Sequence, residues 1–471
     1  MRPQAQADID FEAVRAELAI PADYPAQAVA EAKQAAASPP HPEPDRRDIP
    51  LVTIDPPGSM DLDQAMCLRR NGSGYLVYYA IADVASFVTP GGALDLESNR
   101  RGQTLYSPDL STPLHPRELS EGAASLLPDV DRAAVLWTIE LDGAGNPGAV
   151  TLERALVRST ARLDYPGVAA DFEAGRAHPS LALLPEIGKL RQQAAVKRHA
   201  ITLNLPDVEV TRAQDDRWTL ALRARNEIED YNAEISLLTG MVAAGIMLKG
   251  KVGLLRTLPP AGHEQLAELR RSAAALGVPW PSGAAAGDVV ATVDPATPKG
   301  AAFLEDSVRL LRGAGYNAFD GSLPEQTQHA GVGAPYAHVT APLRRLADRY
   351  ATEICLSLHQ GTAVPDWVLT GLQTVPESMA ASDKLAGELT KACTWTVVTF
   401  LLADRIGEPF AGTVVQIESA RDRATVLLND PPVRARCSSD GLSEGREIKV
   451  RLTGLDEASR SVQVMPLDSG E

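Results

Sequence analysis

The chain has 471 residues, 44% of them hydrophobic, and a formal net charge of −16, so it is long enough for roughly two to four domains. Its four cysteines include no C-x-x-C pair, which argues against a zinc ribbon or a disulfide framework and fits a reducing cytoplasm. The acidic balance disfavours a general nucleic-acid-binding surface, although local basic clusters in a cleft can override the sum.

The first 45 residues are predicted to form a short helical segment. Apolar residues recur at helical spacing in DFEAVRAELA and YPAQAVAEAKQAAA. The proline-rich SPPHPEPD that follows is typical of a stiff linker. No apolar signal core is present at the N-terminus, so no secretory signal is expected.

Residues 46–406 are predicted to form a mixed α/β body. LVTI (51–54) predicts a strand, and AMCLRR-NGSG-YLVYYAIADV predicts a β-hairpin around an Asn/Gly/Ser turn. Helices are predicted at 185–200, 226–249, 262–276, 303–313, 341–360 and 378–404. The apolar stretch 235–248 is too short to cross a bilayer and predicts a buried helix, so no membrane association is expected.

Residues 407–471 have a different pattern. Short runs of alternating Val, Ile and Leu are broken by turn residues, which is typical of a small antiparallel barrel. The sequence therefore predicts an α+β protein in three parts, with boundaries near residues 45 and 407.

Three aspartates crowd into TIDPPGSMDLDQAM (53–66): Asp55, Asp61 and Asp63. Two carboxylates about 4 Å apart repel by roughly 4 kcal/mol at an effective dielectric constant of about 20, so something positive must lie between them. In an extended segment Asp61 and Asp63 point to the same face, and the Pro-Pro-Gly turn can bring Asp55 back toward them. Three hard oxygen ligands suit Mg²⁺ or Mn²⁺. The alternative is a turn whose aspartates only cap backbone N–H groups.

A cationic partner for these acids is predicted far along the chain, in HAGVGAPYAHVTAPLRRLADRYATEICLSLHQG (329–361). We expect a helix capped by Thr340, with Pro342 in its first turn and Gly361 at its end. Arg344 would then lie in the first turn and grip a phosphate by two hydrogen bonds. The alternative is an ordinary Arg344–Asp348 ion pair on the helix surface.

Several motifs in a fixed order resemble the catalytic domain of the ribonuclease II / ribonuclease R family, of RNB type. The resemblance covers roughly residues 45–400 and is carried by VTIDPPGSMDLDQAM, YAIADVASFV, LDLESNRRGQTLYSPD, LSEGAASLLPDVDRAAV, ARLDYPGV and HAGVGAPYAHVTAPLRRLAD. The C-terminal part resembles the RNA-binding OB-fold barrel that closes this family. The family usually carries two cold-shock-type barrels before the catalytic domain, whereas the 45 residues here are predicted to be helical.

The resemblance implies a Mg²⁺-dependent 3′→5′ exoribonuclease that degrades single-stranded RNA processively to nucleoside 5′-monophosphates in the cytoplasm; no protein partner is inferred. The resemblance assigns roles to nine residues. The metal ligands would be Asp55, Asp61, Asp63 and Gln64, with Mn²⁺ as a possible substitute ion; the catalytic residues would be Asp63, Asp61, Asp55 and Arg344; and the substrate-binding residues would be Tyr165, Arg345, Glu229 and Asp230.

One departure from the family motif lies at Gln64, where the fourth acid is expected. An amide oxygen still coordinates a hard cation but brings no charge, so we expect weaker binding of one metal ion. The same departure supports an alternative: a non-catalytic RNA-binding protein derived from such a nuclease.

Overall fold

Two short helices open the part of the chain that the computed structural model describes, namely residues 9–203, 205–213, 215–223, 225–418 and 422–467. Helix α1 spans Phe11–Glu17 and α2 spans Ala26–Ala37, as the sequence predicts. The Asp10 carboxylate begins α1 by accepting the Ala13 N–H. Phe11 and Val14 are buried, and the Phe11 ring meets Trp218 edge to face at 5.1 Å. These contacts fix α1 to the rest of the molecule.

A closed five-stranded barrel follows. The strands of this region are β1 (Leu51–Asp55), β2 (Gln64–Asn71), β3 (Gly74–Ala82), β4 (Leu105–Tyr106), β5 (Ser111–Thr112), β6 (Asp131–Leu141) and β7 (Pro147–Asp164). The barrel order is β1-β2-β3-β6-β7, while β4 and β5 pair separately. Alternate side chains such as Tyr79 and Trp137 join the largest apolar cluster, and the opposite set, including Ala80 and Leu136, forms a second. The strands are therefore buried on both faces.

Two features of the barrel position the residues discussed below. The β2–β3 hairpin forms as predicted, with Gly72 at a φ of 57°, which favours glycine. Strands β1 and β7 run parallel, and Asp55 lies beside Asp164 in their register. Both strands thus end at the same rim of the barrel.

Helices and small hairpins surround this barrel. The helices are α3 (Ala93–Arg101), α4 (Tyr165–Glu173), α5 (Leu184–Lys197), α6 (Glu227–Gly250), α7 (His263–Leu276), α8 (Ala286–Val290), α9 (Pro298–Ser307), α10 (Leu346–Gln360), α11 (Asp366–Gly371) and α12 (Val375–Leu402). The further strands are β8 (Asp207–Arg212), β9 (Trp218–Arg223), β10 (Val252–Thr257), β11 (Gly315–Asp320), β12 (Gln328–His329) and β13 (Ala334–Pro335). Six predicted helices correspond to α5, α6, α7, α9, α10 and α12, with the starts of α9 and α10 misplaced by five residues each.

Helix α6 contains the long apolar stretch. The helix has 24 residues, and by length and hydropathy alone it is the one helix in the described ranges that would be able to cross a membrane. Ile235, Leu238 and Met247 are fully buried in the largest apolar cluster. The prediction of a buried helix is confirmed, although the helix is longer than the apolar stretch that predicted it.

The predicted start of α10 is wrong. The helix begins at Leu346 after an extended Arg345, so Arg344 lies in the preceding loop and not in the first turn. Thr340 does not cap the helix, because its hydroxyl is hydrogen-bonded to Ser236 at 2.8 Å. The loop is held instead by Asp348, whose Oδ1 accepts the Ala341 N–H at 2.6 Å. Gly361 ends the helix in the left-handed conformation, as expected.

A second closed barrel ends the chain. Its strands are β14 (Pro409–Glu418), β15 (Arg423–Leu428), β16 (Arg434–Cys437), β17 (Glu447–Asp456) and β18 (Ser461–Pro466), in the order β14-β15-β16-β18-β17. The predicted barrel is therefore present, but it is not wholly antiparallel, because β16 and β18 pair in parallel to close it. This is the five-stranded arrangement of the OB fold.

Candidate active site

The rim of the first barrel brings Asp55 and Tyr165 together. Asp55 is the last residue of β1, and Tyr165 follows the end of the neighbouring strand β7. The Tyr165 hydroxyl accepts a hydrogen bond from Asn232 Nδ2 on α6 at 3.1 Å. Burial, and next the charge of Asp55, raise the pKa of Tyr165 to about 12.

Asp61 and Asp63 reach the same rim from the segment before β2. Leu62 between them is fully buried, and its N–H donates to Ser125 Oγ at 3.0 Å. Its carbonyl accepts the Leu126 N–H at 3.0 Å. Because both the N–H and the carbonyl of Leu62 are hydrogen-bonded, the backbone positions of Asp61 and Asp63 are fixed.

Asp63 connects this segment to the loop before α10, 280 positions away. It is 3% exposed, its Oδ1 accepts the Leu343 N–H at 2.7 Å, and its Oδ2 lies 3.3 Å from Arg344 Nε. The Arg344 side chain is 43% exposed, so its outer nitrogens remain accessible to a ligand. The predicted meeting of the acids with Arg344 therefore occurs, although through a loop and not a helix turn.

All three carboxylates are poorly compensated. Burial, and next the charge of Asp61, raise the pKa of Asp55 to about 7 against the opposing effect of Arg344. Burial also raises the pKa of Asp63 to about 8, although Arg344 and the Leu343 N–H oppose the shift. The pKa of Asp61 is raised by burial as well. One guanidinium is therefore insufficient for this cluster, and additional positive charge would stabilise its ionised form.

The carboxylate oxygens are of the chemical type that binds a hard divalent cation, but they do not form a complete metal-binding site. Within the described ranges no group of three or more His, Cys, Asp or Glu side chains is close enough to hold one metal ion. The carboxylate oxygens of Asp55 and Asp61 are of the type that Mg²⁺ prefers. Both oxygens of Asp63 already have protein partners. A cation held here would use Asp55 and Asp61 first and need further ligands.

Gln64 stands at the edge of the cluster as the first residue of β2. Its Oε1 accepts a hydrogen bond from the buried Tyr79 hydroxyl. Asp55 is among the charges that raise the pKa of Tyr79, which places this pair beside the carboxylates. A carbonyl oxygen has two lone pairs, so the bond to Tyr79 orients Gln64 without preventing a second contact.

The remaining predicted residues divide into two groups. Glu229 lies near Tyr165 and influences its pKa, but its carboxylate is bound by Arg223 at 2.9 and 3.0 Å. Asp230 is half-buried beside it, which raises its pKa. The Arg345 guanidinium holds Asp348 through two hydrogen bonds of 2.9 Å.

Tyr106 is a site residue that the sequence reasoning did not single out. It ends β4, and 52% of its surface is exposed. Burial of its hydroxyl raises its pKa to about 12, and Arg344, Asp61 and Asp63 are next among the groups that influence it. The signal available was its place in the LDLESNRRGQTLYSPD segment, where it is the one aromatic residue.

Two protein-family models match the sequence of this chain. The RNB domain model matches residues 44–358, which is more than half of the chain. The chain belongs to the RNB family. A model of the RNase II-type exonuclease C-terminal S1 domain matches residues 408–466, which cover the second barrel. The predicted family and the predicted OB-type barrel are therefore confirmed.

Relatives of this RNB protein include a ribonuclease R from Vibrio cholerae, 26% identical over 411 residues that make up 80% of this chain and 48% of the relative. The chain thus spans about half the length of that relative. Ribonuclease R of Mycoplasma genitalium in complex with ribose-methylated single-stranded RNA shares the fold, with a TM-score of 0.85, 18% identity and coverage of 97% of this chain and 77% of the other. The yeast pseudonuclease Ssd1 has a TM-score of 0.69 at 18% identity, covering 87% and 51% of the two chains.

Proposed function

We propose that this RNB protein is a Mg²⁺-dependent 3′→5′ exoribonuclease that degrades single-stranded RNA processively to nucleoside 5′-monophosphates. The observation that carries the proposal is the position of Asp63, which is buried between the Leu343 N–H and Arg344 and is close enough to Asp61 for that charge to raise its pKa. Similarity to ribonuclease R supports the reaction class.

Each residue of the site has its own role in hydrolysis. Asp55 and Asp61 would hold Mg²⁺ or Mn²⁺, with Gln64 as a neutral contributor. Such an ion lowers the pKa of bound water and stabilises charge on phosphate oxygens. Arg344, fixed through Nε by Asp63, presents its free nitrogens to the scissile phosphate and offsets the charge that develops there.

The bases of the RNA 3′ end would be held by aromatic rings. Tyr165 lies at the barrel rim beside Asp55, and the β4–β5 hairpin carries the exposed ring of Tyr106 near Asp61 and Arg344. Base stacking on such rings does not depend on sequence. We assign Glu229 and Asp230 to contacts with the nucleotides beside Tyr165. Arg345 acts on the substrate through the loop that it shapes with Asp348.

The S1 barrel would bind RNA upstream of the cleaved end. A cavity of about 850 Å³ between this barrel, α12 and the β8–β9 hairpin has four cations among its lining residues, against one carboxylate, Glu457. Those cations are Lys391, Arg434, Arg436 and Arg460. The Glu457 carboxylate is itself engaged, because it accepts a hydrogen bond from the Trp395 indole N–H at 2.7 Å. Arg434 also pairs with Glu305, and Arg460 pairs with Glu17 at 3.6 Å. We therefore assign the phosphate contacts first to Lys391 and Arg436, whose local positive charge suits phosphates despite the net charge of −16.

We further propose that the catalytic unit spans residues 46–406 and the RNA-binding barrel 407–471, and that the protein acts in the cytoplasm.

The proposal is tested by incubating the purified protein with 5′-labelled single-stranded RNA, in Mg²⁺ and in EDTA. We expect progressive shortening from the 3′ end with release of nucleoside 5′-monophosphates in Mg²⁺ and none in EDTA. Shortening that is insensitive to EDTA, or cleavage only inside the RNA, would contradict it.

A second candidate function is RNA binding without catalysis. Gln64 in place of an acid motivates it, and a fold neighbour is described as a pseudonuclease. This reading predicts a gel shift of the same RNA with no shortening in Mg²⁺ or Mn²⁺.

A further inference from the structure

The hairpin that carries Tyr106 is anchored at its base to the loop before α10. The Thr104 N–H donates to the Arg344 carbonyl at 2.9 Å, and the Leu346 N–H donates to the Gly102 carbonyl at 2.9 Å. Strand β4 then pairs with β5 through Leu105–Thr112 and Tyr106–Ser111. The base of the hairpin therefore shares its backbone hydrogen bonds with the loop that positions Arg344.

The tip of the same hairpin, residues 107–110, is held by helix α1. Arg15 Nη1 donates to Ser107 Oγ at 2.8 Å and to Asp109 Oδ1 at 2.6 Å. Ser107 in turn bonds to the Leu110 carbonyl through both its N–H and its hydroxyl, at 3.0 and 2.9 Å. One guanidinium therefore fixes both sides of the tip immediately after Tyr106.

This contact is better defined than an ordinary surface ion pair. The Arg15 side chain is only 13% exposed, and Asp109 is 31% exposed. Its helix cannot shift freely, because Phe11 and Val14 are buried in the same apolar cluster as Leu105 of β4 and Trp218. Partial burial and a fixed origin both strengthen an arginine–carboxylate contact.

We propose that Arg15 is a positioning residue for RNA: helix α1 clamps the hairpin tip through Arg15 and so holds the Tyr106 ring beside the loop that positions Arg344. This inference rests on the proposed function, and it assigns a role in that function to a helix outside the matched RNB domain. Without the clamp, the tip moves and the ring no longer offers a fixed surface to the terminal bases. The chemical step itself is unaffected, because Asp63 and Arg344 are held by other contacts.

The first test separates KM from kcat in single-stranded RNA hydrolysis. For Arg15→Ala, and for Asp109→Asn from the other side, we expect the KM to rise about fivefold, the lower end of what one base–aromatic stack supplies, with kcat nearly unchanged. The matched control is Arg46→Ala, which removes another arginine–carboxylate pair, Arg46–Glu153 at 2.7 Å, away from the hairpin. In a Tyr106→Ala background, Arg15→Ala should add nothing. An equal rise in the control, or a full additional effect in the double variant, would overturn the proposal.

The second test does not depend on catalysis. Hydrogen exchange of peptides covering residues 104–112 should be faster in Arg15→Ala than in the wild type or Arg46→Ala, with the Ser107 amide among those affected. Unchanged exchange in this segment would refute the clamp even if RNA hydrolysis is normal. Faster exchange in a protein that does not shorten RNA would retain the clamp and reject the proposed function.

Discussion

Asp63 is the residue at which the two halves of the site meet. Its carboxylate accepts a hydrogen bond from the Leu343 N–H, 280 positions later in the chain, and contacts the neighbouring Arg344. An asparagine at this position keeps a carbonyl oxygen for the Leu343 N–H but loses the charge that holds Arg344.

We therefore predict that Asp63→Asn lowers kcat for RNA hydrolysis by about a hundredfold or more, on the scale of losing a fixed electrostatic contact in a transition state. RNA binding should be largely retained, because the cations of the S1 barrel are untouched. Single-turnover kinetics and fluorescence anisotropy measure the two effects separately. Near wild-type turnover in the variant would remove Asp63 from the catalytic machinery.

Gln64 supports a second prediction. Gln64→Asp introduces a fourth carboxylate at the rim, so the Mg²⁺ concentration for half-maximal activity should fall. Gln64→Asn is the matched control, since the asparagine side chain has the same length as aspartate but carries no charge. A titration of activity against Mg²⁺ that gives the same midpoint for both variants would contradict a metal-binding role at this position.

Strand β7 and helices α4 and α6 together place Tyr165. The strand delivers it to the rim beside Asp55, and α6 holds its hydroxyl through Asn232. We predict that Tyr165→Ala changes the length of the oligonucleotide left at the end of the reaction more than it changes RNA affinity. Tyr165→Phe, which keeps the ring, should retain the wild-type end product. Denaturing gels resolve the difference, and an identical end product for the alanine variant would exclude Tyr165 from base contact.

Most elements could be predicted from apolar periodicity, but the loop that completes the site could not. The segment from Thr340 to Arg345 has capping and first-turn residues that favour a helix. Asp348 overrides this preference by accepting the Ala341 N–H and binding Arg345. The cost of an unpaired buried carboxylate decides the local conformation, and that partner is visible only in the tertiary structure.

Tyr106 and Arg15 show the same limit at longer range. Both lie in segments whose secondary structure is ordinary. Tyr106 is marked only as the one aromatic residue of its motif, and Arg15 does not stand out by type or spacing. Their importance comes from the contact between α1 and the β4–β5 hairpin, 92 positions apart. By contrast, Asp55, Asp61 and Asp63 were identified because three acids in nine residues are costly in any fold.

At the scale of the whole molecule, an acidic chain must still attract a polyanion. We predict that Lys391→Ala with Arg436→Ala, both lining the cavity beside the S1 barrel, weakens binding of long RNA. The slope of log K against log salt is negative and should become less steep by about 1.4, corresponding to two lost contacts with single-stranded phosphates.

The control for this prediction is Lys384→Ala with Arg446→Ala. Neither residue is among those that line the cavity. Lys384 is on the same helix as Lys391 and pairs with Glu388, and Arg446 bonds to the Gly441 carbonyl. An equal loss of slope in the control pair would show that the cavity has no special role.

The most direct measurement is a crystal structure of the protein with Mn²⁺ and a non-hydrolysable single-stranded RNA, using the anomalous signal of manganese. We predict a manganese peak bound by Asp55 and Asp61, with Arg344 on the terminal phosphate and Asp63 behind it. Carboxylates turned away from one another, with no manganese among them and the RNA 3′ end elsewhere, would contradict the account.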